Sequence, residues 1–250
     1  MSATPASPPF AGRVALVTGG SGGIGRPLVL NLADAGAAVA VGYGASREPA
    51  EELASDVVAA GGRAIAVGAD LRDPAAPGKL VGVAERALGP IDLLVANHGV
   101  AMRQAWDEVG LDDWNETVDV NLRAPFLLAQ RVLPGMRGRA WGRILFVSSV
   151  AAFTGGIVGP HYAASKSGLH GLTHFLAARV ARDGVTVNAI APALVEDTGM
   201  LPGSPEELRS RVPVGRLGRP DEVAELAVAM LANGYLTSQV VGLDGGMYPR

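Results

Sequence analysis

Cysteine is absent from the 250 residues. That excludes disulfides, thiolate catalysis and Cys-ligated zinc, and it suits a reducing compartment. No stretch approaches the roughly 18 unbroken apolar residues that a membrane-spanning helix needs. The start, Met1 to Phe10, lacks both a basic opening and an apolar run and carries Pro5, Pro8 and Pro9. It reads as a disordered leader over 1–10 rather than a signal peptide, and the expected location is cytoplasmic. No run of like charge stands out, and the formal net charge is only −3. Neither nucleic acid nor a membrane surface is therefore expected as a partner. No linker divides the chain and no segment repeats.

What is present suits one large α/β domain over 11–250: 48% of residues are apolar and 18% charged, enough for a sizeable core. Short apolar runs alternate with helix-length segments. Strands are expected at Val14–Val17, Ala38–Val41, Ala64–Val67, Ile91–Ala96, Ile144–Val147, Val185–Ile190 and Val240–Leu243, with helices near Arg26–Ala35, Glu48–Ala60 and Pro74–Leu88. Runs this short and apolar suit strands buried on both faces. The alternation calls for right-handed crossovers, hence a doubly wound, mainly parallel, Rossmann-like sheet with helices on both faces. The irregular stretch 191–218 follows a strand and reads as a lid over a site.

The first strand runs into Thr18-Gly-Gly-Ser-Gly-Gly-Ile-Gly25, a strand, tight turn and helix start. Glycines let a pyrophosphate approach the helix N-terminus, where free N–H groups and the helix dipole favour anions. Two registers fit, Gly20-x-Gly22-x-x-Gly25 and Thr18-Gly19-x-x-x-Gly23-x-Gly25. The second strand ends Val41-Gly42-Tyr43 with no carboxylate for a ribose 2′-hydroxyl, and Ser46 and Arg47 follow as groups that could hold a 2′-phosphate. NADP(H) is therefore favoured over NAD(H), although Arg47 also suits a solvated helix start. Tyr162-Ala-Ala-Ser-Lys166 puts a phenol and an ammonium one helical turn apart. A nearby cation would lower the phenol from its usual pKa of about 10 and make Tyr162 a workable acid/base.

The Thr18-Gly19-x-x-x-Gly23-Ile24-Gly25 turn resembles that of the short-chain dehydrogenase/reductase family in its basic short form. Gly218-Arg-Pro-Asp-Glu-Val223 and Asp244-Gly-Gly-Met247 look most like its 3-oxoacyl-[acyl-carrier-protein] reductase branch. The resemblance implies an NAD(P)-dependent oxidoreductase acting on a carbonyl or alcohol. Ser149, thirteen residues before Tyr162, would polarise the substrate carbonyl, with Ser148 structural. Lys166 would hold the nicotinamide ribose, and Asn121, in the middle of a helix, would complete a water relay to that lysine. Thr18, Gly19, Ser21, Gly23, Ile24, Gly25 and Tyr43 fall in the implied nucleotide site. Asp70 and Leu71 resemble the adenine-contacting pair, and Asp70 also suits a simple turn. Asn97 and Gly99 match the family's Asn-Asn-Ala-Gly at the fourth strand's end, whereas His98 departs from it and receives no role. Pro192 stands where Pro-Gly is usual, and Thr198 lies one residue late for the threonine that contacts the nicotinamide amide. The substrate is expected to be a small carbonyl or alcohol, carried in one version on an acyl carrier protein, and the implied assembly is a homotetramer. An NAD-dependent alcohol or sugar dehydrogenase and a non-catalytic nucleotide-binding scaffold or sensor remain open. His170 and His174 lack a third ligand and the Glu of a zinc motif, so no metal is expected; Asp112 and Asp113 read as capping residues.

Overall fold

The computed structural model describes residues 7–199, 201 and 203–248. Seven parallel strands form one sheet in the order β3-β2-β1-β4-β5-β6-β7. They are β1 (Val14–Thr18), β2 (Ala38–Tyr43), β3 (Ala64–Gly68), β4 (Leu93–Ala96), β5 (Gly142–Val147), β6 (Val185–Pro192) and β7 (Val240–Leu243). Crossover helices α1 (Gly25–Asp34), α2 (Arg47–Ala59) and α3 (Ala76–Leu88) link the first four strands. Between β4 and β5 lie α4 (Leu111–Val118), a π-helical turn (Asp119–Arg123) and α5 (Ala124–Gly138). Then come α6 (Ala151–Thr154), α7 (Pro160–Val180), α8 (Pro205–Arg209) and α9 (Pro220–Ala232).

Because successive strand residues point to opposite faces, each central strand feeds two cores. In β1, Val14 and Leu16 pack with α3, α5 and α7, while Ala15 and Val17 pack with α1, α2 and α9. In β5 the same division separates Ile144 and Phe146 from Leu145 and Val147. That double burial is why these strands carry continuous apolar runs, each fully buried Leu, Val or Phe contributing about 1.5–3 kcal/mol. The strand order reverses direction between β1 and β4. In an open parallel sheet this reversal leaves a crevice at the C-terminal ends of those strands.

Two expectations need correction. Phe10 does not belong to a disordered leader: it is fully buried among Leu28, Leu32 and their neighbours, and its N–H bonds the Ala35 carbonyl. Residues 1–6 of that expected leader lie outside the described residues. The stretch 191–218 is not irregular throughout. It begins inside β6, contains α8 and bridges Val195 to Gly218. Around Leu208, Val212 and Leu217 it packs a small apolar cluster of its own with Leu194, Leu201 and Met247.

Candidate active site

At the C-terminal end of β1 the chain turns through Gly19–Ile24 into α1. A side chain at Gly25 would collide with the Gly19 carbonyl, so the turn tolerates only glycine there. Asn97, just past β4, ties the turn down: its Nδ2 donates to Gly19 O at 2.9 Å and its backbone N–H donates to Thr18 Oγ1 at 3.2 Å. A cavity of about 580 Å³ opens over this turn. Gly19, Ser21, Gly23, Ile24, Tyr43, Ser46, Asn97 and Gly99 border it on one side, and Ser149, Tyr162, Lys166, Pro192 and Thr198 on the other. Size, position at the strand-order reversal and a glycine-lined helix start fit an extended dinucleotide.

The reactive end is assembled from two elements. The β5 strand delivers Ser148 and Ser149, and α7, entered through Pro160, delivers Tyr162 and Lys166 from one face. Ser148 is structural: its hydroxyl donates to Lys166 O at 3.1 Å and lies 2.8 Å from His170 Nε2. Ser149 accepts the Ala151 N–H at 3.1 Å and lies close enough to the Tyr162 phenol to favour its ionised form. Lys166 is buried, and its Nζ donates a hydrogen bond to the Val147 carbonyl at 2.8 Å.

Asn121 is fully buried, not in a regular helix but in the π turn, where the Ala124 N–H reaches back five residues to Asp119 O. Its side-chain oxygen accepts the Val100 N–H at 2.8 Å. Its amide donates to Val100 O at 2.9 Å and to Ser165 Oγ at 3.2 Å. The Asn121 side chain is thus engaged in clasping Val100 against α7. Gly99 makes this possible, since a Cβ there would sit 3.2 Å from Asn121 Oδ1 and 3.3 Å from Lys166 Nζ.

For the phenol, burial outweighs Lys166. The Lys166 Nζ stands 5.9 Å from the Tyr162 ring centre, and burial raises the Tyr162 pKa, opposed by the nearby Ser149 hydroxyl. Burial instead lowers Lys166 itself, to about 8.

Several expected nucleotide contacts stand elsewhere. Arg47 opens α2 on the exposed surface, away from the cavity lining, with its Nε donating to Glu51 at 2.8 Å. Asp70 takes a forked pair of hydrogen bonds from Arg72, at 2.9 and 2.8 Å, and accepts the Arg72 N–H, a turn arrangement outside the cavity. Leu71 packs on the core beneath α3. Thr198 borders the cavity and donates to Val195 O at 3.0 Å. Thr18 is buried under the turn, fastening β1 to β4. His174 pairs with Ser238 and Asp113 with Gln104. His98, given no role by the sequence, lies in the midst of the site: its Nδ1 is 2.6 Å from Thr18 Oγ1 and its Nε2 3.0 Å from Val120 O. Ile157, Leu201, Leu208, Arg211 and Met247 complete the outer wall of the cavity. The sequence signal of the four apolar ones is weak, because apolar residues of a lid look like those of any core.

Known proteins agree with this geometry. The profile of the family described as short chain dehydrogenase matches residues 13–208. The chain belongs to that family. It is an oxidoreductase of the short-chain dehydrogenase/reductase type, which uses NAD(P). It is 36% identical over 244 residues to the 3-oxoacyl-[acyl-carrier-protein] reductase FabG of Aquifex aeolicus (strain VF5), covering 95% of this chain and 98% of that one. It is 35% identical over 244 residues to the acetoacetyl-CoA reductase of Shinella zoogloeoides, covering 94% and 98%. Among solved structures, a short-chain dehydrogenase/reductase from Serratia marcescens BCRC 10948 superposes with a TM-score of 0.89 at 36% identity, covering 96% of this chain and 99% of the other. A blue fluorescent protein from a metagenomic library, in complex with NADPH, gives 0.90 at 36% identity over the same shares.

Proposed function

We propose that this chain reduces a ketone to a secondary alcohol with NADPH, a 3-oxoacyl thioester being the favoured substrate type. The observation that carries the proposal is the convergence of Ser149, Tyr162 and Lys166 at the end of β5, facing a cavity that begins at the glycine turn. A nicotinamide held beside Lys166 would supply a hydride for the carbonyl carbon. Ser149 donates a hydrogen bond to the carbonyl oxygen. Tyr162 then gives that oxygen its phenolic proton, completing the alcohol. A phenol kept protonated by burial suits this direction, since it holds its proton until a far more basic oxygen develops beside it. Lys166 stabilises the phenolate left behind and holds the nicotinamide ribose, and solvent restores the proton. Asn121 contributes by fixing residues 97–100 against α7.

The nucleotide is proposed to lie with its pyrophosphate over Ser21–Ile24 and its adenosine end toward Tyr43 and Ser46. Absence of a carboxylate after β2 favours NADPH, as does the NADPH complex of a structural neighbour. Arg47 supports a 2′-phosphate from one residue beyond the lining, because its exposed pairing with Glu51 costs little to exchange. The apolar outer wall suits an acyl arm, and Arg211 at its rim suits a phosphate of a thioester carrier.

Trp114, Phe126 and Phe175, partly exposed on α4, α5 and α7, support assembly into a homotetramer through those helices, checkable by light scattering on the eluting protein. Among the described residues no helix is long and apolar enough to cross a membrane. The deciding experiment is an NADPH-oxidation screen against acetoacetyl thioesters, simple ketones, quinones and sugars, repeated with NADH. Turnover of none of them would overturn the proposal, and faster turnover with NADH would overturn its cofactor part.

A further inference from the structure

The π turn that carries Asn121 takes the usual backbone donor away from the Val120 carbonyl. In a regular helix Val120 O would accept the Ala124 N–H. Here that N–H goes to Asp119 O, five residues back. The next residue in the π register is Pro125, which has no N–H to give. The Val120 carbonyl therefore needs a donor from outside the helix, and His98 Nε2 stands 3.0 Å from it.

That contact fixes the rest of the arrangement. A carbonyl can only accept, so Nε2 carries the ring proton and Nδ1 keeps its lone pair. The Thr18 hydroxyl, 2.6 Å from Nδ1 and 3.4 Å from Val95 O, then donates to the histidine and accepts the Asn97 N–H at 3.2 Å. One neutral imidazole thus spans from the base of the glycine turn to the carbonyl preceding Asn121. On either side of it, Asn97 holds Gly19 and Val100 holds Asn121. Enclosure of the ring, with the Lys166 charge close by, pushes the His98 pKa down to about 3 and keeps it uncharged at any physiological pH.

We propose that His98 is a positioning residue for the reaction: its Nε2–H replaces the backbone donor missing at position 125, holding the π turn in the register that places Asn121 beside Ser165 and Val100. The proposal rests on the catalytic reading above for its effect on turnover, but not for the hydrogen bond itself.

Two measurements on the full chain test it. Ring-nitrogen NMR of the wild-type protein at neutral pH reads the tautomer without any turnover. A protonated Nε2 with a bare Nδ1 supports the proposal, and the reverse tautomer or an imidazolium overturns it. Kinetics then compare His98→Phe, which fills the space without hydrogen bonds, with His98→Gln, which restores a donor toward Val120. The first is expected to lose about tenfold in kcat, the scale of one positional hydrogen bond, with little change in KM for the nucleotide, and the second to recover most of it. Equal kcat in wild type and His98→Phe, or an equal loss in both variants, overturns the role. If no substrate is turned over at all, the catalytic reading fails while the tautomer result still decides the hydrogen bond.

Discussion

Asn121 and Val100 exchange two hydrogen bonds, Val100 N–H to Oδ1 at 2.8 Å and Nδ2–H to Val100 O at 2.9 Å. The side chain imitates a neighbouring strand and seats the segment after β4 against α7. Gly99 lies between this clasp and Lys166. We predict that Gly99→Ala lowers kcat by about 10- to 100-fold, because its Cβ would displace Asn121 Oδ1 or Lys166 Nζ by a few tenths of an ångström from a site that depends on position. Steady-state kinetics alongside thermal unfolding check this: a large drop in melting temperature with unchanged kcat contradicts it.

Tyr162→Phe removes the proposed proton donor while leaving the ring that fills the same space. Loss of about 10²- to 10⁴-fold in kcat is expected, with nucleotide binding by fluorescence titration within a few fold of wild type. Near-normal turnover in this variant would mean that another group delivers the proton.

Lys166 is predicted to set the alkaline limb. Its pKa near 8 lies below that of Tyr162, which burial raises, so the lysine is the first of the two to lose a proton as pH rises. The value of kcat/KM for the nucleotide, which reports the free enzyme, should be level below pH 8 and fall above it. In Lys166→Arg the charge persists and that limb should vanish; a limb retained at the same pH assigns it to a different group.

Acid stability carries the mark of His98. Its folded pKa of about 3 lies below the ordinary 6.5, so the unfolded chain binds more protons between those values. Stability from this group is present above pH 6.5 and is lost as pH falls toward 3, at up to about 1.4 kcal/mol per pH unit. Urea midpoints at pH 7, 5 and 4 should therefore decline less steeply for His98→Phe than for wild type, and parallel declines would refute the linkage.

Asp92 works at the opposite end of the sheet. Buried where β4 begins, it accepts the Val14 N–H at 3.2 Å and pairs with Arg139 at 3.1 Å and, more loosely, Arg13 at 3.7 Å. The two arginines are about a third exposed, which weakens the ion pairs, so Asp92→Ala should cost about 2 kcal/mol rather than the full value of a buried pair. Chemical denaturation measures it, and kcat of the folded variant should be unchanged.

Arg47→Ala tests the phosphate assignment. Freed of that cation, the enzyme should show a roughly fivefold to tenfold higher KM for NADPH and an unaltered KM for NADH. Equal changes for both nucleotides would leave Arg47 as a solvated partner of Glu51 alone.

The sheet was legible because both its faces are buried. Runs such as Val14–Val17 and Ile144–Val147 have no polar alternation to blur them, and the structure extends or trims most of the expected strands by only a residue or two. The structure brings the turn together with Ser149, Tyr162 and Lys166, and the spacing of each survives within one short stretch, 18–25 for the turn and 149–166 for the three side chains. What escaped was decided by distant partners. A π turn differs from an α turn by one hydrogen-bond register, and nothing local in Asp119–Arg123 announces it. The donor that satisfies Val120 sits 22 residues away, at a position where the family pattern has alanine. Tyr162 and Lys166 share a helix face, but which way burial moves each pKa depends on how they are enclosed, which spacing does not contain.

The π turn also has a mechanical consequence. Each residue advances a helix by about 100°, so one residue of slip puts α4 and α5 out of phase by nearly a third of a revolution. The α4 side packs on α7, and α5 lies on α3 and β4. A continuous helix would have to satisfy both neighbours with one stripe, whereas the slipped one presents a different stripe to each. Deleting a single residue between 119 and 123 would restore an unbroken helix and turn one of its halves away from its support, a heavier injury than any substitution in the same turn.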